Sequence, residues 1–175
     1  IVETINKYNL VLTKIFITHT HRDHIAFLGD FNCLYPNIQI LCYHQSNFNL
    51  KFQGVAHDEI ISLGQELIIC LYTPGHYYDS MCFWNKTNKA LFTGDTIFVG
   101  RTGRTISNRS NIKDLYNSVY NTILKLPGDT IIYPGHHYGY MKSITIDENI
   151  RCSKFFTSDS LDEFIQTMKN FESYR

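Results

Sequence analysis

Apolar residues fall along this chain in short runs, separated by breaks that carry glycine, proline and histidine. Residues 11–18 are apolar and β-branched and read as a strand. Residues 25–34 have the spacing of a short helix, stopped near Pro36. Residues 38–43 form an apolar run short enough for a strand. Residues 59–62 and 66–72 alternate on either side of Leu63-Gly64-Gln65, which predicts a hairpin. Residues 81–84 and 90–92 predict a second, across Asn85-Lys86-Thr87-Asn88. Ile112, Leu115, Tyr116, Val119, Tyr120, Ile123 and Leu124 keep helical spacing behind a Ser110 cap. Residues 130–133 predict a further strand, and Ser160-Leu161-Asp162-Glu163 reads as a capping box. The helix it opens has Phe164, Ile165, Met168 and Phe171 on one face. Ahead of all this, Ile1, Ile5 and Tyr8 are helically spaced, with Glu3 and Lys7 four residues apart. Strands, some helix, more strands and a closing helix fit an α+β fold of two packed sheets with helices outside.

The chemistry collects where these strands stop. Ile17-Thr18-His19-Thr20-His21-Arg22-Asp23-His24 places three histidines and an aspartate directly after the first strand. In extended chain His19 and His21 point the same way, and Asp23 and His24 follow as the chain turns. A polar cap on a strand is ordinarily a solvated loop, but crowding this many ionisable groups is costly without a partner. Three more strand ends repeat the logic: Thr73-Pro74-Gly75-His76, Phe92-Thr93-Gly94-Asp95 and Tyr133-Pro134-Gly135-His136. Each is an apolar run, then a glycine that allows a sharp turn, then one metal-competent side chain. Imidazole with carboxylate suits zinc, iron or manganese better than calcium or magnesium. His19, His21, Asp23, His24, His76, Asp95 and His136 are therefore expected to converge on one cleft.

H-x-H-x-D-H followed by a single His, a single Asp and a last His resembles the pattern of the metallo-β-lactamase fold superfamily, over residues 12–171. Gly94-Asp95-Thr96-Ile97-Phe98, then Gly103-Arg104-Thr105, and the stretch from Leu126 to Tyr138 resemble its glyoxalase II and persulfide dioxygenase branch. The resemblance implies an αββα sandwich formed by residues 1–175 as one domain. In that family further strands precede the H-x-H-x-D-H strand, so this chain is expected to be a fragment or to have a shortened first sheet. The implied ligands are His19, His21 and His76 for one ion, Asp23, His24 and His136 for a second, and Asp95 between them. The implied cofactors are two divalent metal ions, zinc first. The alternative is one ferrous iron held by His19, His76 and Asp95. The implied reaction is hydrolysis of a small thioester such as a hydroxyacyl-glutathione by metal-bound hydroxide, with Asp23 and Asp95 orienting the water. The rivals are oxidation of glutathione persulfide by a one-iron dioxygenase and a truncated, non-catalytic remnant of the fold. Arg104 and Tyr138 match residues that contact glutathione in the relatives, while Ile106 departs from both substrate patterns. No counterpart of the helical domain of full glyoxalase II enzymes is read within residues 1–175, so a resemblance to the short single-domain members is the expectation. His137 reads as a loop histidine or a partner orienting a ligand, and His44 and His57 as surface residues.

Composition narrows the partners. At 43% hydrophobic over 175 residues there is material for one core. Sixteen basic residues balance 16 acidic ones, which argues against nucleic acid. Arg101, Arg104 and Arg109 form the one local basic cluster, and it suits a small anionic substrate. Five cysteines, an odd number without a C-x-x-C pair, read as free and mostly buried thiols in a reducing compartment, hence a cytoplasmic protein. No apolar run approaches membrane-span length, so no membrane partner is expected. A first strand without neighbours would leave an open edge, so a homo-oligomer is the expectation if the chain is not a fragment.

Overall fold

The computed structural model describes residues 1–173. The chain runs through helix α1 (Val2–Lys7), strand β1 (Lys14–Phe16) and the short helices α2 (Arg22–Ile25) and α3 (Leu28–Leu34). Strands β2 (Gln39–Tyr43), β3 (Gln53–Val55), β4 (Ile60–Leu63), β5 (Glu66–Tyr72), β6 (Met81–Asn85) and β7 (Ala90–Gly94) follow. A small ribbon, β8 (Ile97–Phe98) with β9 (Arg101–Thr102), leads to α4 (Ile112–Asn117). The chain finishes with β10 (Ile131–Pro134), β11 (Ile144–Thr145), α5 (Ile146–Cys152) and α6 (Leu161–Ser173).

Both predicted hairpins form. Leu63 pairs with Glu66 and Asn85 with Ala90, and the two ribbons join through β5 and β6. The result is a six-stranded sheet ordered β11-β10-β7-β6-β5-β4, facing a three-stranded parallel sheet ordered β1-β2-β3. Period-two alternation sends Phe83, Cys70, Met81 and Ile68 inward against Leu41, Tyr43 and Val55 of the smaller sheet. The other face of the larger sheet, with Leu71, Cys82, Leu91 and Ile132, packs on Leu115, Phe164 and Met168 of α4 and α6. Leu28 of α3 covers the outside of the smaller sheet with Ile17, Ile40 and Cys42. The layers are therefore helix, sheet, sheet, helix, as the αββα expectation requires.

Several boundaries differ from the sequence reading, each for a physical reason. The strand over residues 11–18 shrinks to Lys14–Phe16, because among the described residues β1 has only β2 beside it; Leu10 and Val11 lie exposed. The helix over residues 25–34 is two helices, broken between Ile25 and Leu28. The helix after residue 110 is capped by Asn111, whose side chain accepts from Lys113 N and Asp114 N, while Ser110 Oγ instead donates to Ser107 O. It then loosens into a π turn at Ser118–Thr122 and a 3₁₀ turn at Ile123–Lys125. The Ser160 box is half formed: Ser160 Oγ accepts from Glu163 N, but the Glu163 carboxylate accepts from Asp159 N. Strands β3, β8, β9 and β11 and helix α5 lie outside the predicted elements. All five cysteines are free, and most of them, Cys42, Cys70 and Cys82, are buried as expected, while Cys33 and Cys152 are exposed.

Among the described residues β1 is an edge strand, and the inner face of the larger sheet runs past it. Phe92 and Tyr133, stacked 5.5 Å apart, are 47% and 40% exposed there, although they continue the row of inward-facing Phe83. No helix among the described residues is long and apolar enough to cross a membrane.

Candidate metal centre

Strands β5 and β7 run in the same direction, because each is antiparallel to β6, and β10 is parallel to β7. Their C-terminal ends meet at one edge of the sandwich. Met81 N donates to Thr18 O at 2.7 Å, which brings the segment after β1 to the same edge. Each strand that carries a predicted ligand thus delivers it to one place. After β5 the turn at Gly75 has φ +133°, and a Cβ there would lie 2.2 Å from Leu115 N of α4. Ser118 Oγ donates to Pro74 O at 2.7 Å, so the π turn backs the loop that holds His76.

All seven predicted ligands come together. His21 Nδ1 lies 3.0 Å from His19 Nε2 and 3.1 Å from His76 Nε2. His136 Nε2 lies 3.2 Å from His24 Nε2 and 3.2 Å from Asp23 Oδ2. Asp95 stands between the sets: Oδ1 is 3.3 Å from His24 Nε2, and Oδ2 is 3.8 Å from His76 Nε2 and 3.5 Å from His136 Nε2. His19, His21 and His76 form one group of donors in mutual reach, Asp23, His24 and His136 another, and His19, His24 and Asp95 a third that links them. A tetrahedral ion with bonds of about 2.0–2.1 Å spaces nitrogen donors roughly 3.3–3.4 Å apart, so the donor set fits such ions. Among the described residues, Asp95 Oδ1 is buried without a hydrogen-bond donor. Nitrogen lone pairs converging beside a carboxylate oxygen that lacks a donor are what a bound cation resolves.

Gly135 makes this approach feasible. A Cβ at that position would lie 2.6 Å from Asp95 Oδ1 and 2.9 Å from His24 Cε1. Gly135→Ala is expected to push Asp95 and His24 apart and to reduce metal affinity by about 10–100-fold, the range seen when a ligand's support is disturbed. Titration against a chromophoric chelator checks this; unchanged affinity would contradict the packing argument.

Burial, reinforced by the neighbouring imidazoles of His24, His76 and His21, holds His19 far below the usual histidine range. Burial and His76 lower His21, opposed by Asp23 and Asp95. Burial also lowers His76, partly offset by its hydrogen bond to Arg104 O and by Asp95. His76 Nδ1 donates to that carbonyl at 2.8 Å, which fixes the tautomer and leaves Nε2 free toward the site. Below the ordinary histidine pKa of about 6.5, the unfolded chain takes up protons that the folded chain refuses. The metal-free protein should therefore hold its stability above about pH 6.5 and lose it as pH falls toward the depressed folded values. Thermal melts of stripped protein from about pH 7 down to about pH 5 test the sign; a midpoint that rises on acidification would contradict it.

Beside the donor groups opens a cavity of about 530 Å³, whose lining includes His21, His76, Asp95, Arg101, Arg104 and Tyr138. Tyr138 stacks on His136 at 5.1 Å, and Arg101 lies over its ring at 4.4 Å. Arg101 and Arg104 both sit 5.3 Å from the ring of Phe171 on α6, and neither is ion-paired among the described residues. Glu172 accepts from Thr105 N and Oγ1, which pins α6 against this loop. Arg104 and Tyr138 thus line the cavity, as does Ile106. Arg109 stands apart, over the ring of Tyr78. His44, His57 and His137 are exposed outside the donor groups. Phe171, read from the sequence only as a core-facing residue, was missed as a wall of the cavity; nothing local marks it.

The family model of the metallo-beta-lactamase superfamily matches residues 9–136. The hydroxyacylglutathione hydrolase of Francisella tularensis subsp. novicida (strain U112) is 38% identical over 136 residues, or 78% of this chain and 54% of that protein. The chain therefore spans about half the length of such relatives. ETHE1 from Myxococcus xanthus matches 97% of this chain and 74% of its own, with a TM-score of 0.83 at 30% identity. The BLEG-1 B3 metallo-beta-lactamase matches with a TM-score of 0.81 at 21% identity, over 90% of this chain and 83% of its own, which is a likeness of fold alone.

Proposed function

The chain belongs to the metallo-β-lactamase superfamily, and we propose that it acts within it as a metal-dependent hydrolase of hydroxyacyl-glutathione-like thioesters. The observation that carries this reading is the pairing of two complete donor groups, His19/His21/His76 and Asp23/His24/His136, with Asp95 between them. Similarity to the Francisella hydroxyacylglutathione hydrolase supports the substrate class. Two divalent ions, zinc in this reading, would supply Lewis acidity and a water acidified to near neutral pH.

The chain's own residues would do the rest. Asp95 turns one oxygen toward His24 and the other toward His76 and His136, and so serves both donor groups. Asp23, 61% exposed at the mouth, would orient the attacking water through Oδ2. Arg104 and Tyr138, with Arg101 beside them, would hold the carboxylate-bearing end of the substrate, since a guanidinium grips a carboxylate at two points. Three rings surround the Arg101 guanidinium, at 4.4 Å from Tyr138, 5.3 Å from Phe171 and 5.5 Å from Phe98, which strengthens its pull on an anion by excluding water.

A second reading, a one-iron dioxygenase acting on glutathione persulfide, is favoured by the depth of its three ligands. His19 is 1% and Asp95 9% exposed, while Asp23 of the other group stands mostly in solvent. Thioester cleavage and oxygen uptake, measured side by side on the zinc-loaded and iron-loaded protein, separate the two. Cleavage of a hydroxyacyl-glutathione without oxygen uptake is the expected result. Oxygen uptake with glutathione persulfide, dependent on ferrous iron and unaccompanied by thioester cleavage, would reverse the order.

A further inference from the structure

Asp79 lies three residues beyond His76 and is 1% exposed. Among the described residues it has no cationic partner. Its hydrogen bonds run to two other segments of the chain. Thr20 N donates to Oδ1 at 3.2 Å, Thr20 Oγ1 donates to Oδ2 at 2.6 Å, and Ser46 Oγ donates to Oδ2 at 2.8 Å. Thr20 stands between His19 and His21. One carboxylate therefore ties the segment that carries two imidazoles of the first donor group to the turn that carries the third. Ser46 anchors the same carboxylate to the loop between β2 and β3.

A buried carboxylate without a cation is an expensive way to join two loops, since desolvation penalises it and a neutral side chain would serve packing alone. The donors it meets are an amide N–H and two hydroxyls, so both of its oxygens act as acceptors. We propose that Asp79 is a positioning residue: by accepting from Thr20 and Ser46 it sets the spacing of His19, His21 and His76 before an ion arrives. The inference rests on the metal-site reading and adds to it a residue outside the seven ligands.

The test uses the metal-stripped parent chain and the variants Asp79→Asn, Asp79→Ala and Thr20→Val. Cobalt(II) is titrated in against a chromophoric chelator, with the visible absorption of the bound ion recorded and thermal unfolding of each stripped protein measured alongside. Asp79→Asn keeps the shape but removes the charge, and Thr20→Val removes one hydroxyl donor at constant volume. Both are expected to weaken one of the two cobalt affinities, by about 10–100-fold for Asp79→Asn and less for Thr20→Val, and to shift the absorption of that ion. The other affinity should change little. Folded variants that bind both ions with parental affinity and an unchanged spectrum would overturn the proposal and leave Asp79 a structural clamp. Equal weakening of both ions would overturn it too. If Asp79→Ala does not fold, the other two variants decide. A parent chain that binds no cobalt would contradict the metal-site reading instead.

Discussion

Asp95→Ala is expected to lower kcat/KM for thioester cleavage by about 10³-fold, the upper end of the loss when one element of a preorganised electrostatic site is removed. That corresponds to about 4 kcal/mol of transition-state stabilisation. The size follows from position. Asp95 sits at the end of β7, 9% exposed, and its two oxygens approach both donor groups within 3.3–3.8 Å. It also belongs to both proposed ligand sets, so its loss should disable the two-metal and one-iron readings alike. Steady-state kinetics with a thermal melt as folding control makes the measurement. A folded variant that turns over at the parental rate would place the chemistry elsewhere.

His24→Ala should divide the two readings that Asp95→Ala does not. His24 and His136 face each other at 3.2 Å, and with Asp23 they make up the outer donor group. A two-metal hydrolase that loses His24 loses an ion, and thioester cleavage should fall by about 10²-fold or more. A dioxygenase held by His19, His76 and Asp95 would keep most of its activity. Parallel assays of His24→Ala and Asp23→Ala for cleavage and for oxygen uptake read the difference directly.

The convergence of the seven candidate ligands was legible because each rests on a local rule. An apolar run alternates, a glycine turns the chain, and one imidazole or carboxylate follows; the rule held at Gly75-His76, Gly94-Asp95 and Gly135-His136. Hairpins were legible for the same reason, since Gly64 and the Asn85 to Lys89 turn act within a few residues. What was not legible depends on distant neighbours. The true length of β1 is set by its pairing with β2, its only partner among the described residues, which the propensity of Leu10 and Val11 does not reveal. Helix α4 gives way to a π turn where Ser118 reaches Pro74, 44 residues away. Asp79 reaches Thr20 across 59 residues, and Phe171 arrives at the cavity from the far end of α6. Periodicity marks Phe171 as a core-facing residue and Asp79 not at all, and only the folded contacts give the two these roles.

A two-ion site at this edge of the sandwich would show itself in the metal content of the protein. Elemental analysis of the chain purified without added metal and then saturated with zinc should find two ions per chain. Both should leave with a chelator, and thioester cleavage should vanish and return with them. One ion per chain, with iron retained in preference to zinc, would contradict the two-metal account, and no bound ion at all would contradict the site itself.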